Sequence, residues 1–383
     1  MDTQPFAFIS ACLYLLSEIF LAKARFTLPK YIAFTICAFL SGIIYSLFFV
    51  EEFDFLAIRG IVMYIGIPVF LLAYARFINT YGFPKDLFTR INYIWIGAAL
   101  LQLLLSTEIY SSIVSNRTTD DRGLTSLAPE PTFFGIYLFF SSWVLLEFEN
   151  YNPSRRTTVL LFLNILSIVF LAKSSMVILF FLLAVGFACL TQIGRLSVRI
   201  AFSSLFLIPA AYIIVYFIAG NYLLDSRLYS IFSIVADNPF LLFELDASSN
   251  ARLSSIVLPV HSFLDNYLLP HGFYAYPSVA ERVASFYGDF FFYEYDKAKI
   301  ESWIGSLLFE LGIFGLIGLI AIFRKIMISD QNRIVLPLFF LLILFSAIPT
   351  GFPLVYLLIA IFIINNSGLN KIKSLSRKTV SHS

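Results

Sequence analysis

Apolar stretches long enough to cross a bilayer recur along this chain from Pro5 to Asn365, and no other feature restricts its fold so tightly. A hydrocarbon core roughly 30 Å thick takes about 20 helical residues per crossing. Backbone polar groups inside it meet no water, so a chain of such stretches satisfies them as helices. The stretches 5–22, 31–50, 55–78, 91–110, 131–148, 157–172, 175–192, 200–220, 303–322, 334–348 and 352–366 predict an all-α, polytopic transmembrane helix bundle of about 11 spans. Composition agrees, with 59% of the 383 residues hydrophobic, 13% charged and a mean hydropathy of +0.86. That exceeds the roughly half-apolar content of a soluble domain. Because the spans consume nearly the whole length, 1–383 is expected to form a single membrane domain.

Charge supplies the orientation. Lys23, Arg25, Lys30, Arg76, Lys85, Arg90, Arg155, Arg156, Arg195, Arg199, Arg324, Lys325, Arg333 and the tail residues Lys371, Lys373, Arg377 and Lys378 fall on alternate loops. Cytoplasmic loops collect Lys and Arg, so this face is inside. The opposite loops carry Glu51, Glu52, Asp54, Asp120 and Asp121. The amino terminus is therefore expected outside and the carboxy terminus in the cytoplasm, with an odd number of spans. Met1 to Ser10 holds Asp2 and no Lys or Arg, so the first span is expected to persist rather than to be cleaved as a secretory signal. Cys12, Cys37 and Cys189 are scattered within spans, which argues against a disulfide framework or a thiolate metal site. A net charge of +2 without a basic face leaves no nucleic-acid partner.

Two outer segments are long: a first loop over 111–130 and a large loop over 221–302 between spans 8 and 9. Inner loops are short and carry no phosphate-binding glycine run, which excludes ATP coupling within this chain. In the large loop, Leu228, Ile231, Phe232 and Val235 predict one short amphipathic helix, with Asp225 and Ser226 as candidate caps. Leu253, Ile256, Val257, Val260 and Leu264 predict another, preceded by Ser248 and Asn250 and interrupted by Pro259.

Polar chemistry concentrates on this outer side. Pro131 suits a first helical turn, which makes Glu130 the cap residue of the fifth span. Free amides and the helix dipole there favour an anion, and Arg122 stands upstream to hold a phosphate. A blander reading has Glu130 capping its own helix and Arg122 snorkelling to headgroups. Arg252 and His261 lie in the large loop, with Arg227 upstream and the turn Pro270-His271-Gly272 downstream. Arginine offers a planar fork for phosphate, and histidine accepts a proton near neutral pH. Nine residues apart, these two share a site only if Pro259 bends or ends their helix. Against this stands the ordinary expectation that Arg252 pairs with a carboxylate such as Asp246 and His261 satisfies a local hydrogen bond.

Lys173, followed by Ser174 and Ser175, occupies the short outer turn between spans six and seven, where it either anchors that turn or stands at the depth of a lipid pyrophosphate. Glu310 lies about two turns inside the ninth span, where a carboxylate is costly unless it faces the bundle interior, with a basic partner as the default. Glu18, Arg59 and Glu147 lie near span ends and are expected to snorkel. Asp120 and Asp121 without histidine neighbours do not make a metal site, so no metal and no cofactor are expected.

With these segments in view, the chain resembles the bacterial O-antigen polymerases, the oligosaccharide repeat-unit polymerases, and more distantly the O-antigen ligases. The resemblance covers most of the length and is mainly architectural. It rests on Arg122 ahead of Glu130-Pro131 entering a span, Lys173-Ser174-Ser175 in an outer turn, Arg252 followed by Pro270-x-Gly272, and Glu310-x-Gly312 with Gly315. Related ligases place a histidine shortly before the Glu-x-Gly segment, where this sequence has Glu301-Ser302-Trp303. That departure leans toward polymerase and leaves the base open between Glu130 and His261.

What the resemblance implies is a metal-independent, inverting glycosyltransferase of surface polysaccharide in the bacterial inner membrane. Its donor is a polyprenyl-diphosphate-linked oligosaccharide and its acceptor another lipid-linked repeat unit, joined on the outer face among membrane lipids. A chain-length-regulating membrane protein stays open as a partner. In this scheme Arg122, Arg252, Lys173 and Arg227 stabilise the departing diphosphate, Glu310 contributes to substrate binding, and Glu130 or His261 takes the acceptor proton. A ligase and a glycolipid flippase are the alternatives.

Overall fold

The computed structural model describes residues 5–20, 28–48, 55–112, 114, 123–192, 230–231, 233–234, 237–238, 240–273, 275–291, 300–327, 335–346 and 348–365. Among these every regular element is helical. The elements are α1 (Pro5–Phe20), α2 (Lys30–Leu47), α3 (Phe55–Tyr81), α4 (Lys85–Leu104), α5 (Pro131–Phe148), α6 (Arg155–Leu166) continued by a π-helix (Ser167–Ala172), and α7 (Ser175–Gln192). Then follow α8 (Leu241–Leu245), α9 (Ala247–Asp265), α10 (Tyr276–Ala284) with a 3-10 extension (Ser285–Phe290), α11 (Trp303–Met327), α12 (Val335–Phe345) and α13 (Pro353–Asn365). Six of these helical segments are long and apolar enough to cross a membrane, and α1 and α13 are shorter apolar helices. The expected span 200–220, Arg122, Arg227, Asp120, Asp121 and the carboxy-terminal tail lie outside the described residues, as do Leu228, Phe232 and Val235 of the first amphipathic pattern.

The chain divides into two compact units, Met1–Phe83 with Ala247–Ser383, and Pro84–Asp246. In the first unit, α1 and α3 run in the same sense, since Phe8 meets Phe70 and Tyr14 meets Phe77. Arg76 stands 3.9 Å from Glu18 at the far end of that pair, so Glu18 is ion-paired rather than simply snorkelling. α2 and α11 run in opposite senses and lie close, because Gly42 faces Leu311 and Phe314 while Phe39 packs on Gly318. Small residues at such a contact let two backbones approach where lipid offers no hydrophobic drive. α13 joins through Tyr356, which stacks on Phe70 and accepts from the Trp303 indole at 3.2 Å.

α9 departs from its expected burial. The apolar pattern marks Leu253, Ile256, Val257, Val260 and Leu264, yet the buried residues are Asn250, Ser254, Ser255, Leu258, Pro259, Ser262 and Phe263, and Leu264 is 60% exposed. Four of the buried positions, Asn250, Ser254, Leu258 and Ser262, recur every fourth residue along one stripe. The reason is again close approach: a Cβ on Gly305 of α11 would sit 2.6 Å from the Ser255 carbonyl oxygen. Pro259 has no N–H for that carbonyl, so the helix leaves it outward and α11 covers it. Leu253 and Val257 instead pack on a small core of Leu258, Tyr276, Ala280, Val283 and Phe309.

The second unit is an antiparallel stack of α4, α5 and α6, with α7 parallel to α5. Trp95 stacks on Tyr137 with ring centroids 4.1 Å apart. The Asn164 amide donates to Ser142 Oγ at 2.9 Å, and Phe139 meets Phe180 and Phe181. α4 begins at Lys85 and stops at Leu104, earlier at both ends than the expected 91–110. Gln102 ends it, donating to Thr107 O and Thr125 Oγ1 and accepting from Ser126 N, which ties the following loop to the helix. At the opposite end Lys85 pairs with Glu149, whose Oε2 accepts from Ser154 N at 3.0 Å. Burial opposes ionisation of Glu149, but the bonds from Lys85, Ser154 and Thr157 outweigh it and hold the carboxyl below its ordinary range. Glu147 is buried at 2% exposure, against the expectation that it snorkels.

Candidate functional site

In the second unit the loop before α5 carries the first cluster. Leu124 N donates to the Leu171 carbonyl at 2.7 Å, clamping this loop to the end of the π-helix. Gly123 is required there, since a Cβ would fall 2.1 Å from the Ala172 oxygen. The loop then turns through Ser126, whose Oγ donates to Trp95 O at 2.7 Å, and delivers Glu130 to the start of α5. Pro131 does stand in the first turn, but the Glu130 side chain makes no cap hydrogen bond, so self-capping is not its role.

Lys173 follows the π-helix in a left-handed conformation, φ 47° and ψ 37°. A lysine there carries strain that glycine would avoid, of roughly 1 kcal/mol or more. No carboxylate among the described residues pairs with it. Its neighbour Ser174 is 5% exposed and its hydroxyl has no partner among the described residues, an unusual state for a buried donor. Lys173, Ser174 and Glu130 thus share one end of this unit, while Lys85, Glu149, Arg155 and Arg156 hold the other.

In the first unit the second cluster forms where α11 breaks. Gly312 has φ 55° and ψ −137°, a combination that only glycine adopts without strain, and the helix divides there. The segment after α9 fills the gap: Ile313 N donates to Leu268 O at 2.7 Å, and His271 N donates to Phe309 O at 3.0 Å. A Cβ on Gly312 would lie 2.5 Å from Pro270 N. Broken helices satisfy their freed backbone groups through buried protein in this way.

Glu310 sits on the last turn before that break. Its carboxylate accepts from the Tyr64 hydroxyl of α3, and its backbone oxygen accepts from Ser46 Oγ of α2. The interior placement expected for Glu310 is met, but among the described residues no basic partner stands beside it: a tyrosine holds it instead. Nothing marked Tyr64 in the sequence, since one more aromatic in an apolar span carries no signal.

The large-loop residues separate. α9 runs unbroken through Pro259, so Arg252 and His261 stay about half a turn of azimuth apart and do not meet, contrary to the shared site that a bend at Pro259 would allow. His261 has both ring nitrogens engaged, Nδ1 with the Tyr287 hydroxyl at 3.0 Å and Nε2 with Asp265 at 3.3 Å. This is the locally satisfied histidine of the blander reading. His271, noted in the sequence only as part of a turn, sits at the helix break, its ring stacked on Phe309 with centroids 4.7 Å apart. Its Nε2 lies 2.9 Å from the Ser262 carbonyl. Burial is the main force holding its pKa below the ordinary value, with Arg282 adding to this while the Ser262 bond and Asp265 oppose it. Among the described residues no group of three or more metal-ligating side chains converges.

No protein-family model, curated protein or solved structure matches this chain. The fold defines a class: an all-helical protein, among its described residues, with six helices long and apolar enough to cross a membrane, which is compatible with a multi-pass membrane protein.

Proposed function

We propose that this chain is an eleven-span membrane glycosyltransferase that polymerises a surface polysaccharide from polyprenyl-diphosphate-linked repeat units on the outer face of the bacterial inner membrane. The observation that carries this reading is the Lys173 turn: among the described residues, a cation without a carboxylate partner beside a buried Ser174 hydroxyl without a hydrogen-bond partner, at the end of its unit that also presents Glu130. A lysine held in a strained backbone conformation and left uncompensated suits an anion that arrives with a ligand. A diphosphate is such an anion.

In the reaction, the acceptor hydroxyl oxygen attacks the donor anomeric carbon as the bond to the diphosphate oxygen breaks. The electron pair leaves on the diphosphate, where Lys173 and Arg122 offset the new charge. The hydroxyl proton passes to a carboxylate base, for which Glu130 stands at the same end of the unit as Lys173. No nucleotide is needed, which agrees with short inner loops lacking a nucleotide-binding segment.

The flippase alternative draws support from one feature, the break of α11 at Gly312 beside an intramembrane carboxylate. One experiment separates the readings. Purified protein is incubated with a synthetic polyprenyl-diphosphate-linked repeat unit, and the products are resolved on a gel. Polymerase activity gives a ladder of lengths, and a ligase gives one transfer to a foreign acceptor. Counterflow of labelled lipid in liposomes without covalent product identifies a flippase. Lys173→Ala is expected to lower polymer formation by about 10²-fold, the scale for loss of one charge stabiliser. A ladder undiminished in Lys173→Ala removes the basis of the proposal.

A further inference from the structure

We infer that α4, α5 and α6 enclose one buried water molecule, held between Asn92 Oδ1, Ser141 Oγ and Asn164 Oδ1. The site lies wholly within the second unit and does not rest on the polymerase reading.

Register brings the three residues to one level. Trp95 of α4 stacks on both Phe134 and Tyr137 of α5, and Lys85 pairs with Glu149, so these two antiparallel helices place Asn92 opposite Ser141. Phe134, Tyr137 and Ser141 recur at i, i+3 and i+7, which puts Ser141 on the stripe of α5 that meets α4. Asn92 lies one turn before Trp95, on the matching face of α4. From the other side, the Asn164 amide of α6 donates to Ser142 Oγ at 2.9 Å, beside Ser141. α4 packs on α6 as well as on α5, so the three helices surround this layer. All three side chains are at 0% exposure.

Each amide has its nitrogen committed. Asn92 Nδ2 donates to Phe88 O at 2.9 Å, and a carbonyl oxygen only accepts, so that amide cannot be turned over. Ser142 spends its hydroxyl hydrogen on Leu138 O at 2.7 Å. What it offers Asn164 is a lone pair, and the amide nitrogen must face it. Both Oδ1 atoms therefore point away as acceptors, and neither has a partner among the described residues. Ser141 differs from its neighbour. Its Oγ closes no hydrogen bond among the described residues, although the Tyr137 hydroxyl stands near it.

Two acceptors and one hydroxyl make a set that a single water completes. Its two hydrogens go to Asn92 Oδ1 and Asn164 Oδ1, and its oxygen accepts from the Ser141 hydroxyl. About three such bonds are usual for a buried water. An alkali cation suits the set less well. It would meet three neutral oxygens and leave the Ser141 hydrogen unused, with the Glu147 carboxylate six residues along α5, about 9 Å of helix rise away. The water ties three spans together where apolar packing alone sets no rotation, and so fixes the azimuth of α5, the helix that begins next to Glu130.

The test uses the full-length protein in lipid nanodiscs and a density map that resolves ordered waters. One peak at about 2.7–3.2 Å from all three oxygens is expected. No peak, or an amide oxygen turned onto the Ser141 hydroxyl, overturns the inference. So does a closer peak at roughly the 2.3–2.6 Å of a metal–oxygen contact. A melting midpoint that rises when choline chloride is replaced by sodium or potassium chloride at equal concentration also overturns it, with a cation in place of the water. In a second arm, Asn92→Leu, Asn164→Leu and the double variant are melted in detergent. These two residues meet only through the water, so the double variant is expected to shift by less than the sum of the single shifts. Strictly additive shifts overturn the shared water, and the wild-type map reads the site whether or not the variants fold.

Discussion

Lys173 and Glu310 are both costly residues, and each is costly for a different reason. Lys173 adopts a left-handed backbone that disfavours any residue with a Cβ, and it does so with no carboxylate among the described residues to offset its charge. If the lysine is retained for its charge, Lys173→Gly should leave the unfolding midpoint in detergent unchanged or raise stability by up to about 1 kcal/mol. Polymer formation should nevertheless fall about as far as in Lys173→Ala. Parallel losses of stability and activity in Lys173→Gly mean that the lysine serves the fold. Glu310 is held by the Tyr64 hydroxyl instead of a cation, and Tyr64 itself is fully buried. The Tyr64 hydroxyl also reaches the Ser306 carbonyl at 3.2 Å, so α3 is tied to α11 through two acceptors one turn apart. The sequence marked Glu310 because a charge in a span stands out, whereas Tyr64 and His271 emerged only from their contacts.

Among the helices, α11 is the one whose geometry decides the most. Its break at Gly312 exists because the chain from Leu268 to His271 supplies the donors and acceptors that a continuous helix would have supplied itself. That exchange fixes α9, through its last turn, to the segment carrying Glu310. Gly312→Ala meets two penalties, a positive φ with extended ψ and a Cβ placed 2.5 Å from Pro270 N. A stability loss of about 2 kcal/mol or more is expected, measured as the loss of monodisperse protein on a heating series in detergent. An alanine variant as heat-resistant as the wild type would show that the docked segment yields easily. The serine stripe of α9 teaches a related lesson. Burial there follows from small side chains that permit backbone approach, so hydrophobic periodicity pointed to the flanking residues instead.

For the molecule as a whole, the decisive question is which ends of the helices face out. In each unit the described helices alternate in sense as expected for spans joined by short loops, with Lys85, Arg155 and Arg156 gathered at one end of their unit and Arg324 and Lys325 in the last turn of α11. Tyr267 at 88% and Leu105 at 67% exposure are open positions on the expected outer side, and Tyr81 at 66% is open on the expected inner side. In a variant lacking Cys12, Cys37 and Cys189, an impermeant maleimide applied to whole cells is expected to label Tyr267→Cys and Leu105→Cys but not Tyr81→Cys. Labelling of Tyr267→Cys and Leu105→Cys from opposite sides would place the two clusters on different faces and end the polymerase proposal.

Span positions were legible from the chain because hydropathy is a local sum: each stretch declares its length and polarity without knowing its neighbours, and α2, α3, α5 and α11 fall where the apolar runs lie. Single costly residues, Glu310 and the Lys173 turn, were legible for the same reason. What required the tertiary structure was everything set by packing between distant segments. The break of α11 depends on a loop about forty residues upstream, the burial of α9 on a glycine of another helix, and the setting of the His271 ring on the Ser262 carbonyl. Hydrogen bonds and close approach are pairwise and geometric, so no pattern along a single strand of sequence records them.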